Sequence, residues 1–331
     1  MISRRTALGA MAAIAIAGCK KDGGGGANAI RIAVVPKGTT HEFWKAVHAG
    51  AAKAAQETGV TILWKGPLKE DDLKGQIEVV ESFKDQRVSG IVLAPLSDKG
   101  LVNPVKAAVD AKIPVVVFDS DLQGDAHSSF VATDNFAAGK MAAVEMARIL
   151  GGKGNVVVLR YQEGSASTAN RERGFLEGIK ASPDIKIVSE NQYGGATTES
   201  ALATSESLLS AQKASSGGVQ GIFAPNESTT FGMLLALRKA SPPLAGKIKL
   251  IGFDSSEKLI EGVTKGEIDG LILQSPFNIG YLSVKTMVAI VRGERVEKRI
   301  DTGAKLVTKE NIEAPEVKEL LRPDTKKWLG E

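Results

Sequence analysis

From residue 30 onward, short and strongly apolar runs alternate with longer stretches whose apolar positions recur at helical spacing. The runs at 30–35, 60–64, 90–94 and 114–118 are rich in Val and Ile. They are apolar at consecutive positions rather than every second one, which suits strands covered on both faces of a parallel sheet. Between them the spacing predicts helices over 41–58, over a stretch ending near Gln86, and near 103–111. The second half repeats the plan, with strands at 155–159, 185–189, 219–224, 248–253 and 270–274. Its helices are predicted over 171–181, 199–211, 227–239 and 279–292. Parallel neighbours need crossovers, and right-handed strand–helix–strand units supply them. The expected class is therefore α/β, with two doubly wound parallel-sheet lobes. The correspondence between halves reads as an old duplication, although no short repeat is legible.

Ligands of such sheets bind beyond the carboxyl ends of the strands, so the residues following each run matter most. They are Pro36-Lys37-Gly38-Thr39-Thr40-His41-Glu42-Phe43-Trp44, Asp119-Ser120-Asp121, Pro225-Asn226-Glu227, Asp254-Ser255-Ser256 and Gln274-Ser275-Pro276. Polar side chains recur at the same structural place in both halves, which marks a site and not a surface pattern.

The N-terminus reads differently. Arg4 and Arg5 precede an apolar stretch over 7–17 that is too short to span a bilayer. It has the form of a secretory signal. Ile16-Ala17-Gly18-Cys19 ends it, and Cys19 is the only cysteine, so no intramolecular disulfide can form. This ending resembles the lipobox of bacterial lipoproteins, which implies removal of 1–18, lipidation of Cys19 and a membrane-anchored, extracytoplasmic protein. Residues 19–28, with four consecutive glycines, read as a flexible tether. Ser3-Arg4-Arg5 is a weak match to twin-arginine export, because Ala7 stands where that signal prefers an aromatic.

Composition narrows the function classes. The chain is 43% hydrophobic and 24% charged, ordinary for a globular protein. Its formal charge of +4 falls to +2 once Arg4 and Arg5 leave with the signal, so no nucleic-acid partner is implied. Three histidines and one cysteine give no metal-ligand spacing. Neither a Gly-x-Ser-x-Gly elbow nor a phosphate-cradling Gly-x4-Gly-Lys-Ser/Thr loop occurs. No cofactor is expected.

Several segments together resemble the ribose-type periplasmic sugar-binding proteins, the solute receptors of ABC importers. They are Thr133-Asp134-Asn135 with Gly139, Ala169-Asn170-Arg171-Glu172-Arg173-Gly174-Phe175, Phe223-Ala224-Pro225-Asn226, Ile251-Gly252-Phe253-Asp254, and Leu273-Gln274 followed by Pro276 and Gly280. Each is weak alone, but their order and spacing cover nearly all of residues 30–307. The resemblance implies a type 1 periplasmic binding protein, monomeric, with two lobes joined by a three-crossover hinge that closes on a sugar or polyol. The crossovers fall near Thr133-Asp134, Gln274-Ser275 and Gly303-Ala304. One lobe is then 29–133 plus 275–303, and the other is 134–274 plus 304–331 with the tail. The partners implied are a small sugar, the permease subunits and, through Cys19, the membrane.

Carried over by position, the resemblance makes Phe43 and Trp44 the aromatic pair at the sugar ring. It makes Asp119, Arg171, Asn226, Asp254 and Gln274 the polar ring around the hydroxyls. His41 falls where many members have asparagine. These types suit hydroxyls, because a carboxylate accepts, a guanidinium donates and an amide does both. Unpaired buried partners also penalise the wrong sugar. Three departures stand out. Ser120 replaces an arginine of ribose binders, and Gly194-Gly195-Ala196 lies where the second lobe often presents an aromatic. Lys37 and Asp119-Ser120-Asp121 resemble instead the first lobe of receptors for rhamnose and furanosyl autoinducers.

Taken alone, the residues leave alternatives. Phe43 and Trp44, about 100° apart on a helix, admit one in the core and one in a cleft, or both at a core edge. Lys37 fits a solvated loop, His41 a helix cap, Arg171 a surface charge cluster, and either aspartate a cap. Asp110, Lys112, Glu177, Lys180 and the charges of 65–74 read as solvated faces. The charged segment 310–331 reads as a helix docked on a lobe through Trp328. A sugar-responsive repressor would need an N-terminal helix-turn-helix, which the signal and tether displace. An enzyme would need an acid and a base near the ligand, and Asp119 with Asp254, the only obvious pair, already have binding roles; no enzyme is expected. A signalling receptor of the same fold remains the alternative to transport.

Overall fold

The predicted apolar runs fold as parallel strands, and the two sets form two separate six-stranded sheets. The computed structural model describes residues 29–330; the signal, Cys19 and the tether lie outside the described residues. The first lobe begins with β1 (Arg31–Val35), α1 (Glu42–Thr58), β2 (Thr61–Trp64) and α2 (Leu73–Asp85). It continues through β3 (Gly90–Leu93), α3 (Val102–Asp110), β4 (Val115–Phe118) and β5 (Ser129–Ala132). The chain then passes through Thr133-Asp134 into α4 (Asn135–Ile149), β6 (Lys153–Arg160), α5 (Ala166–Ile179) and β7 (Asp184–Tyr193). The second lobe goes on with α6 (Thr198–Ala211), β8 (Gly221–Phe223), α7 (Glu227–Lys239), β9 (Lys249–Phe253), α8 (Glu257–Thr264) and β10 (Gly270–Leu273).

Gln274-Ser275 leads back to the first lobe, where α9 (Pro276–Val291) lies against α1 and β11 (Arg299–Asp301) joins the sheet. A third passage leads to β12 (Lys305–Val307), α10 (Pro315–Leu321) and α11 (Lys326–Leu329). The strand orders are β11-β5-β4-β3-β1-β2 and β12-β10-β9-β8-β6-β7. All pairings are parallel except β12 with β10. The two orders correspond position for position, with the edge strand reversed in the second sheet, which is the form expected of a duplication.

Consecutive apolar residues are needed because each sheet is covered on both faces. Ile32, Val34, Val92 and Val116 enter one cluster with α1 and α9, while Ala33, Val35, Ile91 and Val115 enter another with α2 and α3. The second sheet divides in the same way, with Val157, Ile222 and Leu250 on one face and Val156, Phe223 and Ile251 on the other.

Two helix pairs pack with unusual closeness, and glycine permits it. A Cβ on Gly139 of α4 would stand 2.0 Å from the Arg171 carbonyl oxygen of α5, and one on Gly280 of α9 would stand 2.0 Å from that of Val47 in α1. The first contact fixes the height of the Arg171 backbone over the second sheet.

Strands β5, β11 and β12 carry no long apolar run, and the spacing alone did not mark them. β11 is an edge strand and largely exposed. The tail also differs from one helix docked on one lobe. In α10, Val317 and Leu321 sink into the second-lobe core, and Arg322 just beyond it grips Glu257 of α8 at 2.7 and 2.8 Å. Helix α11 instead lies on α1 of the first lobe, with Lys53 5.7 Å from the Trp328 ring. The tail spans both lobes.

Candidate ligand-binding site

The sheets present their carboxyl ends to one cleft, whose innermost cavity is lined by all nine residues expected from the sequence. Lys37, His41, Phe43, Trp44 and Asp119 come from the first lobe; Arg171, Asn226, Asp254 and Gln274 come from the second. Glu70, Tyr161, Ser167, Thr168 and Glu227 line it as well. Among the described residues no group of three or more His, Cys, Asp or Glu is arranged to hold a metal.

The two aspartates occupy equivalent places. Each follows the fourth strand of its lobe, and each donates its N–H to the neighbouring strand, Asp119 to Val131 O at 3.0 Å and Asp254 to Ile272 O at 2.9 Å. Both have left-handed backbones, with φ of 60° and 67°. That region is uncommon outside glycine and easiest for Asp and Asn, and it carries strain of order 1 kcal/mol. It turns each carboxylate into the cleft, away from the start of the following segment. Neither aspartate caps its own helix. Asp254 Oδ2 instead accepts the N–H of Glu227 at 3.2 Å.

Lys37 is only 3% exposed, which removes the reading of a solvated loop lysine. Its Nζ stands 3.1 Å from Asp119 Oδ2 and donates to Ser167 Oγ at 3.0 Å and Ser165 Oγ at 3.3 Å. The cation absent at Ser120 is thus supplied from the end of β1. Ser120 itself accepts the Ser167 N–H at 3.0 Å. The Lys37 loop is held by the buried Gln76 of α2, which donates to Pro36 O and Ala94 O and accepts the Leu96 N–H at 2.8 Å.

Glu70 corrects the reading of 65–74 as a solvated stretch. It is 7% exposed and accepts from Trp44 Nε1 at 2.7 Å and Tyr161 Oη at 2.8 Å, with His41 Nδ1 2.9 Å away. His41 therefore does not cap α1 with its side chain, although it holds the N-cap position. Burial alone would lower the imidazole's pKa; the Glu70 carboxylate outweighs it and raises His41 to about 9. Burial would raise Glu70, but His41 and Lys37 hold it down to about 2. The cleft therefore contains a formed ion pair at neutral pH.

Phe43 and Trp44 both line the cavity and meet edge to face at 4.9 Å, so neither turns away from the cleft as adjacent helical positions suggested. Trp44 bridges core and cleft, packing 6.1 Å from Phe118 while its indole N–H goes to Glu70. Across from them the second lobe presents Tyr161, from the end of β6, in place of an aromatic near Gly194.

Arg171 is buried, which excludes a surface charge cluster. Nε donates to Asn135 Oδ1 at 2.8 Å, Nη1 donates to Pro225 O at 2.9 Å, and the guanidinium lies 3.9 Å over the Phe253 ring. Asp254 Oδ2 is 3.9 Å from Nη1, and Gln274 Nε2 donates to Asp254 Oδ1 at 2.7 Å. Burial pushes the Asp254 carboxyl up, opposed by Arg171. Asn226 caps α7 through Oδ1, which accepts the Thr229 N–H at 3.2 Å. Three buried atoms here have no protein partner: Arg171 Nη2, Gln274 Oε1 and Glu227 Oε2. A buried donor, an amide acceptor and an open carboxyl oxygen beside one cavity are what a hydroxylated ligand would complete.

The lobes touch across this cleft. Besides the Lys37–serine and Glu70–Tyr161 bonds, Gln162 Nε2 donates to Glu70 O and the Asp98 N–H to Gly164 O. The cavity volume between them is only about 30 Å3. That is roughly the room of two or three waters.

Comparison with known proteins agrees with this architecture. A family model for the periplasmic binding protein domain matches residues 32–295. A carbohydrate transporter solute-binding protein from Agrobacterium radiobacter, solved with D-arabinose, is 33% identical with a TM-score of 0.84, covering 90% of this chain and 100% of that one. A solute-binding protein from Agrobacterium vitis, solved with D-fucose, is 37% identical with a TM-score of 0.83, covering 88% and 100%. The ribose import binding protein of Haemophilus influenzae is 28% identical over 277 residues, 84% of this chain and 91% of its own. Because these relatives are named for different sugars, the likeness to ribose binders broadens to sugar binders generally. The chain belongs to the periplasmic binding protein family, as an extracytoplasmic, non-enzymatic type 1 member standing among its sugar-binding proteins.

Proposed function

We propose that this protein is the substrate-binding lipoprotein of an ABC importer, anchored through Cys19, and that it captures a monosaccharide between its lobes. The carrying observation is the convergence of nine independently expected side chains on one buried cavity, with Arg171 Nη2 and Gln274 Oε1 still unpaired. Phe43 and Trp44 wall the ring; Lys37, His41, Asp119, Arg171, Asn226, Asp254 and Gln274 bind its hydroxyls. A cavity with room for two or three waters admits a sugar only if the lobes part. Ligand then favours the closed form through contacts made with both lobes at once, and that form presents the lobe surfaces to the permease. A neutral ligand fits best, because Lys37, His41 and Arg171 are already matched by Glu70, Asp119 and Asp254, with Glu227 a further carboxyl at the same cavity, so no cation is left over for an anion.

The test is a thermal-shift and calorimetric screen of residues 29–331 against D-arabinose, D-fucose, other pentoses and hexoses, polyols and furanosyl signals. A ligand at about a hundred times its Kd adds roughly 2.7 kcal/mol of stability. No shift with any sugar, in protein unfolded and refolded to strip bound ligand, overturns the reading. A second reading, a signalling receptor for a furanosyl ligand, draws support from the buried Lys37–Asp119 pair. A shift confined to the furanosyl members of the panel would favour it.

A further inference from the structure

Glu227 breaks the charge balance of the cleft. It is the first residue of α7, immediately after Asn226, and it lines both the inner cavity and a wider outer chamber of about 700 Å3. The chamber lies beside the Gln274–Pro276 passage and is walled by Phe231 and the tail residues Leu321 and Pro323. Glu227 Oε2 is buried at this junction with no partner.

The groups facing it come from every surrounding element. His41 and Glu42 belong to the start of α1, Glu70 to the loop after β2, and Asp254 to the end of β9. Lys258, Arg322 and Lys326 stand around the outer chamber. His41 is already committed to Glu70 at 2.9 Å, Arg322 to Glu257, and Arg171 to Asn135, Pro225 and Asp254. The three cations of the inner cavity are matched by three carboxylates without Glu227. Ionised, it would be a fourth negative charge, buried beside Asp254 with no cation of its own, which is costly.

We propose that Glu227 meets the ligand as a carboxylic acid, donating its proton to a ligand oxygen where the inner cavity opens into the outer chamber, so that capture of a neutral sugar takes up a proton. This rests on the sugar-binding reading above and deepens it. The other cavity carboxylates only accept hydrogen bonds, whereas a protonated Glu227 adds a donor. Burial and the neighbouring Asp254 carboxylate, opposed by His41, raise its pKa to about 7 before any ligand arrives. A ligand that takes its proton in a hydrogen bond and excludes water raises it further. The sign follows by linkage. Affinity is full below about pH 7, where free and bound forms are both protonated, and falls by up to tenfold per pH unit above it.

The experiment is isothermal titration of the mature protein with D-fucose and D-arabinose, or the tightest binder of the panel, between about pH 5.5 and about pH 8.5. It is repeated near pH 7.5 in buffers of different ionisation enthalpy. The expected result is a Kd flat at the acid end, roughly tenfold weaker or more at the alkaline end, with net proton uptake on binding. In Glu227→Gln, whose amide still donates, binding persists and both the pH dependence and the proton uptake vanish. A flat wild-type profile, affinity that rises with pH, or a pH dependence that survives in Glu227→Gln overturns the proposal while leaving sugar binding intact. Absence of binding at every pH removes the sugar reading and this one with it. Should Glu227→Gln fail to fold, the wild-type profile and proton count decide alone.

Discussion

Asp119 and Asp254 stand at the same point of two copies of one sheet, with the same left-handed turn and the same bond to the neighbouring strand. Their surroundings have diverged. Asp119 is paired with Lys37 from its own lobe, and that lysine is also bonded to two serines of the other. Asp254 is flanked by Arg171 and Gln274, each of which keeps an unpaired buried atom. In the first lobe the polar side chains at the cavity all have protein partners, several of them across the cleft; in the second, hydrogen-bonding capacity remains open. The two halves offer like frames. One is tied across the cleft, and the other keeps hydrogen-bonding capacity open.

The strongest challenge to that contrast is Arg171→Met. It leaves Asp254 buried without its cation and should destabilise the protein by about 3–5 kcal/mol, read by urea unfolding, and abolish sugar binding. Arg171→Lys keeps the charge but removes Nη2; it should fold and bind roughly 10- to 100-fold more weakly, given about 1.5–3 kcal/mol for a hydrogen bond to a charged group. Equal binding by Arg171→Lys would erase the distinction between the lobes.

Next in size is the His41–Glu70 pair. His41 is raised above its unfolded value of 6.5, so its stabilisation is complete below about pH 6.5 and lost as pH climbs to about 9. Unfolding free energy should fall by up to about 1.4 kcal/mol per pH unit between 7 and 9. In Glu70→Gln that slope should flatten, and NMR titration of His41 should show its pKa dropping, since burial is then opposed only by the more distant Glu227 and Asp254. Glu70, held down to about 2, contributes stability above its unfolded value and loses it only as pH falls from about 4.5 towards 2.

Tyr161→Phe removes one bond between the lobes without touching Arg171 or Gln274. Sugar should dissociate about tenfold faster, in line with about 1.5 kcal/mol for a bond to a carboxylate, while association is little changed. An altered sugar preference instead would make Tyr161 a reader rather than a latch. The smallest effect is expected from Trp328→Ala, about 1 kcal/mol or less from the lost contact with Lys53, seen as a small fall in Tm with specificity unchanged.

Most of the fold was legible because its strands are buried on both faces and must be apolar throughout. Of the strands that escaped notice, β11 with Arg299 and Asp301 and β12 lie at sheet edges where that demand lapses, whereas β5 is interior and buried but only four residues long. The same logic separates the site residues. Asp119, Asp254 and Gln274 follow apolar runs directly, so the strand-end rule points to them. Glu70 also follows a strand, but Lys65, Lys69, Asp71 and Asp72 around it gave the segment the look of a solvated loop. Burial of a single carboxylate in a charged stretch depends on His41 and Tyr161 arriving from elsewhere, which spacing does not encode. Tyr161 follows β6 as Lys37 follows β1, and reading one residue past Arg160 would have found it. Glu227 stood in view beside Asn226; its significance comes from the partner it lacks.

The tail gives the molecule a leash. Val317 and Leu321 hold α10 in the second lobe, α11 rests on the first, and only Pro323, Asp324 and Thr325 span the gap between Arg322 and Lys326. The four steps from Arg322 to Lys326 at full stretch cover about 13–14 Å. At that edge the lobes can part no farther while both helices stay seated, and a wider gape must peel α11 from α1. The reach of that thread joins the three crossovers as a limit on how wide the cleft opens on this side.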